Sequence, residues 1–548
     1  KDGNTVIVGA YGEDGLTDNL SASGAAYVFR YSSGTWSQDS TILRASNAGS
    51  NDEFGYAIAM SDDGNTVIIG ARKEGGPTNN VLGSGAAYVF RYNTTWDTGT
   101  IVRASNAGSN DYFGTSVAMS MDGNTVIVGA PYEDGLTDNL SASGAAYVFM
   151  YDTSTSLWSE ESTILRASDA ASGNQIGSQN HVAISGDGNT FIVGAARLDT
   201  INDNAVGAAY IFQTYGNDIY YTSGRVGIGS YPPPASITNT SAHNHIAYAI
   251  DEGAQGKWLV FDASTYAFVE VVDAVINLNN GGGQYGYPLN TNNSLTGTNY
   301  IVGDHITLNI LTGQSQNGYQ SYLWVTNETG SVGRPAKDIV VDGTMRIGSS
   351  DLIGGDGSSM IEQAVLRASN LGSYDYFGEG VAMSKDGNTV IVGAYGEDGP
   401  TDNLSGSGAA YVFRNSNGTW SQDSTILMAS NAQDLDIFGF RVEMSADGNI
   451  VLVGARRQDG LSGALGDAGA AYVFRYDTQT LVWSQDSPIL KASNEGGFDY
   501  FGHGLAMSDD GNTIIVGAYQ EDGSTNSTNN SGAAYVFRYS SGTWSEDS

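Results

Sequence analysis

Apolar residues in this chain fall in short runs of Val, Ile, Tyr and Phe bounded by Gly, Asp, Asn or Ser, and the runs recur in a fixed order. The string D-G-N-[TI]-x-[IL]-[VI]-G-A begins at Asp2, Asp63, Asp122, Asp187, Asp386, Asp447 and Asp510. G-A-A-Y-[VI]-F follows each one, at Gly24, Gly85, Gly144, Gly207, Gly408, Gly469 and Gly532. Two further segments lie between these strings: W-S-x-[DE]-S-T-I-L-[RM]-A-S-N, as at Trp36–Asn47, and F-G-x-x-[VI]-A-M-S, as at Phe54–Ser61. Runs of this length and composition between turn residues read as β-strands. The Asp-Gly between A-M-S and T-V-I-V predicts a tight hairpin, because both residues tolerate positive φ. No long apolar pattern has a period of 3.6, so helix is not expected. Four strands in each of seven units predict an all-β fold, a seven-bladed β-propeller whose blades bury their faces against two neighbours in a ring.

The repeat is interrupted once. Residues 213–361 break it, which divides the chain into blades one to four (1–212), an inserted β-rich domain between blades four and five, and blades five to seven (362–548). Inside the insertion, Lys257–Phe261 and Tyr300–Val302 alternate as strands do, while Gly281–Gly283 and Pro232–Pro234 mark loops. A connection between strands is where a propeller tolerates a guest.

The repeats resemble the FG-GAP repeats of integrin α-subunit propellers. The resemblance rests on Phe54-Gly55, Phe113-Gly114, Phe377-Gly378, Phe438-Gly439 and Phe501-Gly502, each followed by V-G-A or I-G-A, with a literal Gly129-Ala130-Pro131. It implies a propeller acting in extracellular contacts. Repeat four departs from it, with Ile176-Gly177. The integrin-type D-x-D-x-D-G cation loop is reduced here to S-x-D-G-N, so the family's cation sites are not carried over. Within the insertion, Arg225–Ser230 and Tyr300–Leu308 are similar to segments of phage and giant-virus fibre proteins.

Composition narrows the function. Lys and Arg number 23 against 59 Asp and Glu, a net charge of −36, which repels phosphate backbones and anionic membranes alike. No apolar stretch reaches the ~20 residues of a membrane helix. The partners expected are therefore protein or glycan surfaces, with no nucleic acid and no membrane insertion. With no cysteine there are no disulfides, thiol nucleophiles or thiolate metal sites.

Candidate chemistry is sparse. The loop E-D-G-L-T-D-N packs carboxylates around a glycine bend, and hard cations favour such flexible oxygen ligands. Calcium would then be held by Glu13, Asp14 and Asp18, by Glu133, Asp134 and Asp138, and by Glu397, Asp398 and Asp402. The alternative for these residues is a solvated acidic loop. The Asp of S-x-D-G-N and the Asp before Phe-Gly (Asp52, Asp111, Asp375, Asp436, Asp499) read as turn and loop caps. Combining His243, His245 and His305 into a metal site requires a proximity that nothing in the sequence fixes, and surface or structural roles are expected for all five histidines. Sequons at Asn19, Asn93, Asn139, Asn239, Asn292, Asn327, Asn403, Asn417, Asn526 and Asn529 are candidate glycosylation sites. No G-x-S-x-G, H-E-x-x-H or Walker string occurs, so no catalytic residue is assigned. The expectation is a non-enzymatic extracellular or virion-surface scaffold, structural and adhesive, that also self-associates into a fibre or filament. The alternatives are a lectin-like propeller and, outside binding proteins, a carboxylate-dependent enzyme at the central channel.

Counting strings yields 26 strands, if T-I-L-R-A-S is the fourth of each blade, where seven blades need 28. By alignment with Thr41–Ser61, a segment of 21 residues is expected to complete the blade of Lys1–Tyr31, supplied by flanking polypeptide or by a neighbouring subunit.

Overall fold

The computed structural model describes residues 3–214 and 360–547 apart from residues 16, 18, 77–80, 136–138, 162, 179–180, 200–203, 371, 400–402, 461–464 and 524–529; of residues 215–359 it describes only the strands. Two compact units emerge, Lys1–Gln213 with Glu362–Ser548, and Thr214–Ile361. The first is the propeller. Its sheets are antiparallel and pair in chain order, as Phe54–Met60, Thr66–Ala71, Ala86–Arg91 and Thr100–Val102 do in blade two. Blades three to seven also have four strands, and no residue of the described chain is helical. Blade four is completed across the insertion: its third strand is Ala208–Tyr215 and its outermost is Ser359–Leu366.

The T-V-I-V-G-A strands explain why these residues form blades. In blades two to five every one of their six residues is buried, because a neighbour covers each face. The core accordingly lies between blades. Phe54 of blade two packs edge-on against Tyr88 at 5.3 Å and Phe90 at 6.0 Å, and the same trio recurs as Phe113, Tyr147 and Phe149 and as Phe438, Tyr472 and Phe474. Each buried ring contributes about 1.5–3 kcal/mol by the area it removes from water.

Glycine sets the spacing between blades. A Cβ on Gly70 would overlap the carbonyl oxygen of Gly114 in the next blade, and one on Gly393 would overlap that of Gly439. Hence the V-G-A and Phe-Gly strings are one device seen from two sides. Outside this contact, an arginine of one blade lies over a tyrosine of the next: Arg30 over Tyr92 at 4.8 Å, Arg91 over Tyr151 at 3.8 Å, Arg414 over Tyr476 and Arg475 over Tyr539 at 4.1 Å each. Arg538 of blade seven lies over Tyr31 of blade one at 4.4 Å, which closes the ring.

One end of the channel is sealed. The residues before the Asp-Gly turns of blades two to seven hydrogen-bond through their backbones in an arc that lines the end of the channel, Asp62 to Met121, Met121 to Gly186, Gly186 to Lys385, Lys385 to Ala446 and Ala446 to Asp509, at 2.8–3.0 Å. The Lys385 ammonium bridges Asp62 and Asp509 across the arc. Above it a cavity of about 140 Å³ is lined by Met119, Met383 and Met444.

The strand count needs correcting. The outermost strand of blades one, three, five, six and seven is the Trp segment, for example Thr35–Gln38 and Thr419–Gln422, not T-I-L-R-A-S. The third strand is long enough, at eight residues in most blades, to hold both: Trp36 pairs with Tyr31 near one end, and Leu43 makes a single bridge to Ala26 at the other. The Leu is there for the core, being 2 % exposed. Twenty-seven strands are thus seen among the described residues of the propeller, and only blade one has three. The strand pattern lacking there is F-G-x-x-V-A-M-S; the T-I-L half-edge is lacking in blade seven, not in blade one.

The second unit contains antiparallel hairpins and the three-stranded sheet His245–Ile250, Lys257–Asp262 and Ala267–Glu270, with Lys257–Phe261 in the strand expected. Tyr300–Val302 lies outside the described residues.

Gly393→Ala should lower the unfolding free energy by about 3 kcal/mol or more, since backbone must move to admit the methyl group. Gly12→Ala, whose Cβ would meet nothing within 4 Å, should change it by less than about 0.5 kcal/mol. Thermal or urea unfolding of the two variants checks the contrast.

Candidate functional site

The acidic loops are built into the frame. Glu133 accepts from Arg166, from Asn106 at 3.0 Å and from the backbone N–H of Gly135 at 2.9 Å, and Asn106 in turn accepts the Tyr147 hydroxyl at 2.8 Å. Glu397 accepts from Asn370 and the Gly399 N–H at 2.8 Å each, and Glu13 from Arg44 at 2.6 Å and the Gly15 N–H at 2.8 Å. The neighbouring aspartates staple the loop shut: Asp14 accepts the Ala22 N–H, Asp134 the Ala142 N–H and Asp398 the Gly406 N–H, at 2.7–2.8 Å. Asp18, Asp138 and Asp402 lie outside the described residues. Among the described residues no three carboxylates or histidines are grouped to hold a metal ion. A calcium ion at these loops would have to compete with Arg44 for Glu13 and with Arg166 for Glu133.

The capping aspartates behave as their positions suggest. Asp52, Asp111 and Asp375 each accept the N–H three residues earlier at 2.6 Å. Burial of Asp63 and Asp122 acts to raise them, but hydrogen bonds from Ser61 and Asn65, and from Ser120 and Asn124, hold them below the usual carboxylate range. Asn19, Asn93, Asn139, Asn403 and Asn417 are exposed; Asn239, Asn292, Asn327, Asn526 and Asn529 lie outside the described residues. His243 and His305 do as well, and of His245 only the strand is described.

A second constellation converges at the end of the channel opposite the Lys385 seal, where the V-G-A strands finish. Its residues come from the two positions after Phe-Gly and the position after V-G-A, which differ from blade to blade while the flanking residues repeat. Blade two supplies Tyr56 and Arg72, blade five Glu379 and Tyr395, blade six Phe440, Arg441 and Arg456, and blade seven His503 and Tyr519. His181 enters from blade four, 2 % exposed, with Nε2 3.3 Å from Glu379 Oε2. Arg441, also 2 % exposed, donates from Nε to the His503 carbonyl at 3.1 Å and interacts across the channel with Tyr56. Arg456 stacks over Phe440 at 4.0 Å and donates to His503 Nδ1 at 3.2 Å.

The electrostatics follow from this crowding. Burial, reinforced by the charges of Arg441 and Arg456, pushes His503 down to about 2, so its ring is neutral and accepts the Arg456 proton. Burial also lowers Arg441 to about 10, against the attraction of Glu379. Desolvation works to raise Glu379, but the hydrogen bond from His181 and the arginine charges win and hold it ionised. Deeper in the channel, burial pushes Glu443 up to about 8 despite Arg441. The corresponding inner-strand residues of the other blades are Ala59, Ala118, Ala183, Ala382 and Ala506.

This site was not singled out from the sequence, where His181 and His503 fall among the five histidines given surface or structural roles. The readable signal was variation inside a constant frame, at the positions after Phe-Gly.

Two outcomes are expected. Glu133→Gln should destabilise the fold by about 3 kcal/mol by leaving Arg166 buried without a counter-charge, equally with calcium and with chelator in a thermal melt. For Glu443, both states are protonated below about pH 4.5. As pH rises towards 8 the unfolded chain ionises while the folded chain keeps its proton, so stability falls across that window. Glu443→Gln should flatten this part of the stability–pH curve measured by urea unfolding.

The FG-GAP repeat family model matches residues 36–90, 96–149, 158–212, 360–413, 420–474 and 483–537. Each match runs from the outer edge of one blade, at its Trp in five cases and at Met360 in the sixth, to the third strand of the next, so the sequence unit is offset from the structural one. No curated protein sequence matches significantly. Among solved structures, the chain is similar to a putative 6-phosphogluconolactonase from Bacteroides fragilis (11 % identity, TM-score 0.42, 99 % of this chain and 93 % of that one). It is similar too to the periplasmic gluconolactonase of Pseudomonas aeruginosa (12 % identity, TM-score 0.40, 99 % and 94 %). With the family's repeat matched over more than half its length, and Phe-Gly and V-G-A doing the same work at the five junctions that carry both, the chain belongs to the FG-GAP repeat family.

Proposed function

We propose that this propeller is a non-enzymatic binding scaffold of an extracellular or virion surface, which recognises protein or glycan partners through the end of the ring where the V-G-A strands finish. The observation that carries this reading is the segregation of constant from variable side chains. Constant ones hold the frame: the Phe–Tyr–Phe trios, the Arg–Tyr clamps and the buried glutamates. Variable ones gather at the channel mouth, beside loops whose Asn19, Asn139 and Asn403 are exposed. A surface that must be specific on a repetitive frame is expected to be built this way. Self-association into a fibre belongs to the same reading, with the ring as the repeating unit.

A carboxylate-dependent enzyme is the second reading, favoured by one observation: the buried His181–Glu379 pair, an imidazole and an ionised carboxylate facing the channel. Beads coated with the protein separate the two. Adhesion to cells or matrix should fall at least tenfold with the triple variant Arg72→Ser, Tyr395→Ser, Tyr519→Ser and stay within twofold with outer-edge changes such as Ser37→Ala. Undiminished adhesion by the triple variant would reject the recognition face. Turnover of glycosides or esters abolished by Glu379→Gln would establish the enzyme instead.

A further inference from the structure

We propose that the sector of this face carried by blades five to seven binds an anionic saccharide, a sugar chain bearing carboxylate or sulfate groups. The inference rests on the recognition face argued above and names its ligand.

The first observation is an account of positive charge. Among the basic residues described in the blades, Arg30, Arg91, Arg414, Arg475 and Arg538 stack on the next blade's tyrosine. Arg44, Arg103, Arg166, Arg367 and Lys491 pair with acidic residues of the loops and connectors. Lys385 closes the sealed end. The six that remain are Arg72, Lys73, Arg197, Arg441, Arg456 and Arg457, and all follow a V-G-A or Phe-Gly string at the open end. Glu53 neutralises Arg72 and Lys73 at 2.6 Å. Blades four and six are left with Arg197, Arg441, Arg456 and Arg457 against Glu379. On a chain of net charge −36, this is a concentrated positive spot, and such a spot draws in anions.

The second observation is independent of charge. The residue before the capping aspartate adopts positive φ, with its N–H bonded to the preceding blade's loop: Asn51 and Asn110 in blades two and three, but Tyr374, Leu435 and Phe498 in blades five to seven. Asn accepts positive φ readily, whereas bulky side chains are strained there. Those three are nevertheless 54 %, 57 % and 60 % exposed, so neither folding nor burial explains them. Three apolar platforms therefore stand at successive blades on the rim of the positive mouth.

The third observation is an unmet donor. Arg456 stacks on Phe440 and reaches His503, yet its buried Nε has no hydrogen-bond partner.

Together these features fit a sugar chain better than an acidic peptide. The rings of Tyr374 and Phe498 take the C–H faces of pyranose rings, with Leu435 adding apolar contact at the blade between them, and guanidinium groups take carboxylate or sulfate oxygens in pairs. Platforms repeated at blade intervals suit a polymer of rings. A bound peptide strand would instead seek an open sheet edge, and in blades five and six the second and third strands at this end are paired on both sides or bridged to the next blade.

The test is calorimetry of the intact chain with four probes at low and moderate salt: an oligogalacturonate, a heparin-derived oligosaccharide, neutral dextran, and poly-glutamate. Binding of one or both acidic sugars, with none to dextran, is expected, and the two acidic arms tell carboxylate from sulfate. Arg456→Gln and Phe498→Ser should each weaken it at least tenfold, with the melting temperature preserved to within a few degrees. Equal binding of dextran, tighter binding of poly-glutamate, or no binding by any probe overturns the proposal. If it fails while mouth variants still abolish adhesion, the recognition face stands and only the ligand class falls.

Discussion

Everything in this ring depends on backbone meeting backbone without a side chain between. Where Gly70 faces Gly114 and Gly393 faces Gly439, two blades come closer than any Cβ would allow. That approach presses the second strand of each blade between neighbours and makes it apolar along its whole length. It also brings the innermost strands close enough for their side chains to fill the channel. The Lys385 seal, the methionines above it and the arginine cluster at the open end are all consequences of one short distance repeated round the ring.

Much of this was legible because repetition separates signal from accident. Phe-Gly, V-G-A and A-A-Y-V-F occur often enough that strand, turn and blade number could be read directly, and the capping aspartates could be assigned from position. The outer edge was misread because Trp36 and Leu43 both face one long third strand; period-two alternation does not say which of two successive segments pairs more fully. The acidic loops were legible only in part, for a different reason. Glu133 looks like a solvated ligand in sequence, since nothing local shows that Arg166, thirty-three residues on, folds back onto it.

The open end was hidden by the same regularity that revealed the fold. Residues such as Glu379, Arg441 and His503 lie far apart in sequence and carry no motif; only the ring places them side by side. Their chemistry is collective. Burial, reinforced by two adjacent guanidinium groups, keeps His503 neutral, and Glu379 stays ionised because His181 and the arginines surround it. Blade-by-blade comparison within one chain finds such positions where a motif search cannot.

The placement of the insertion has a consequence in time. Blade four pairs Ala208–Tyr215 with Ser359–Leu366, so the partner strand leaves the ribosome only after the whole second unit. At typical synthesis rates the delay is roughly ten to thirty seconds. For that interval the third strand of blade four is an uncovered edge in the middle of a nascent chain, and blade five, which would shelter one of its faces, does not yet exist. Early folding of the 214–361 unit would bring the two strand ends together and shorten the loop that must close. In that case the guest would act as a folding aid for its host.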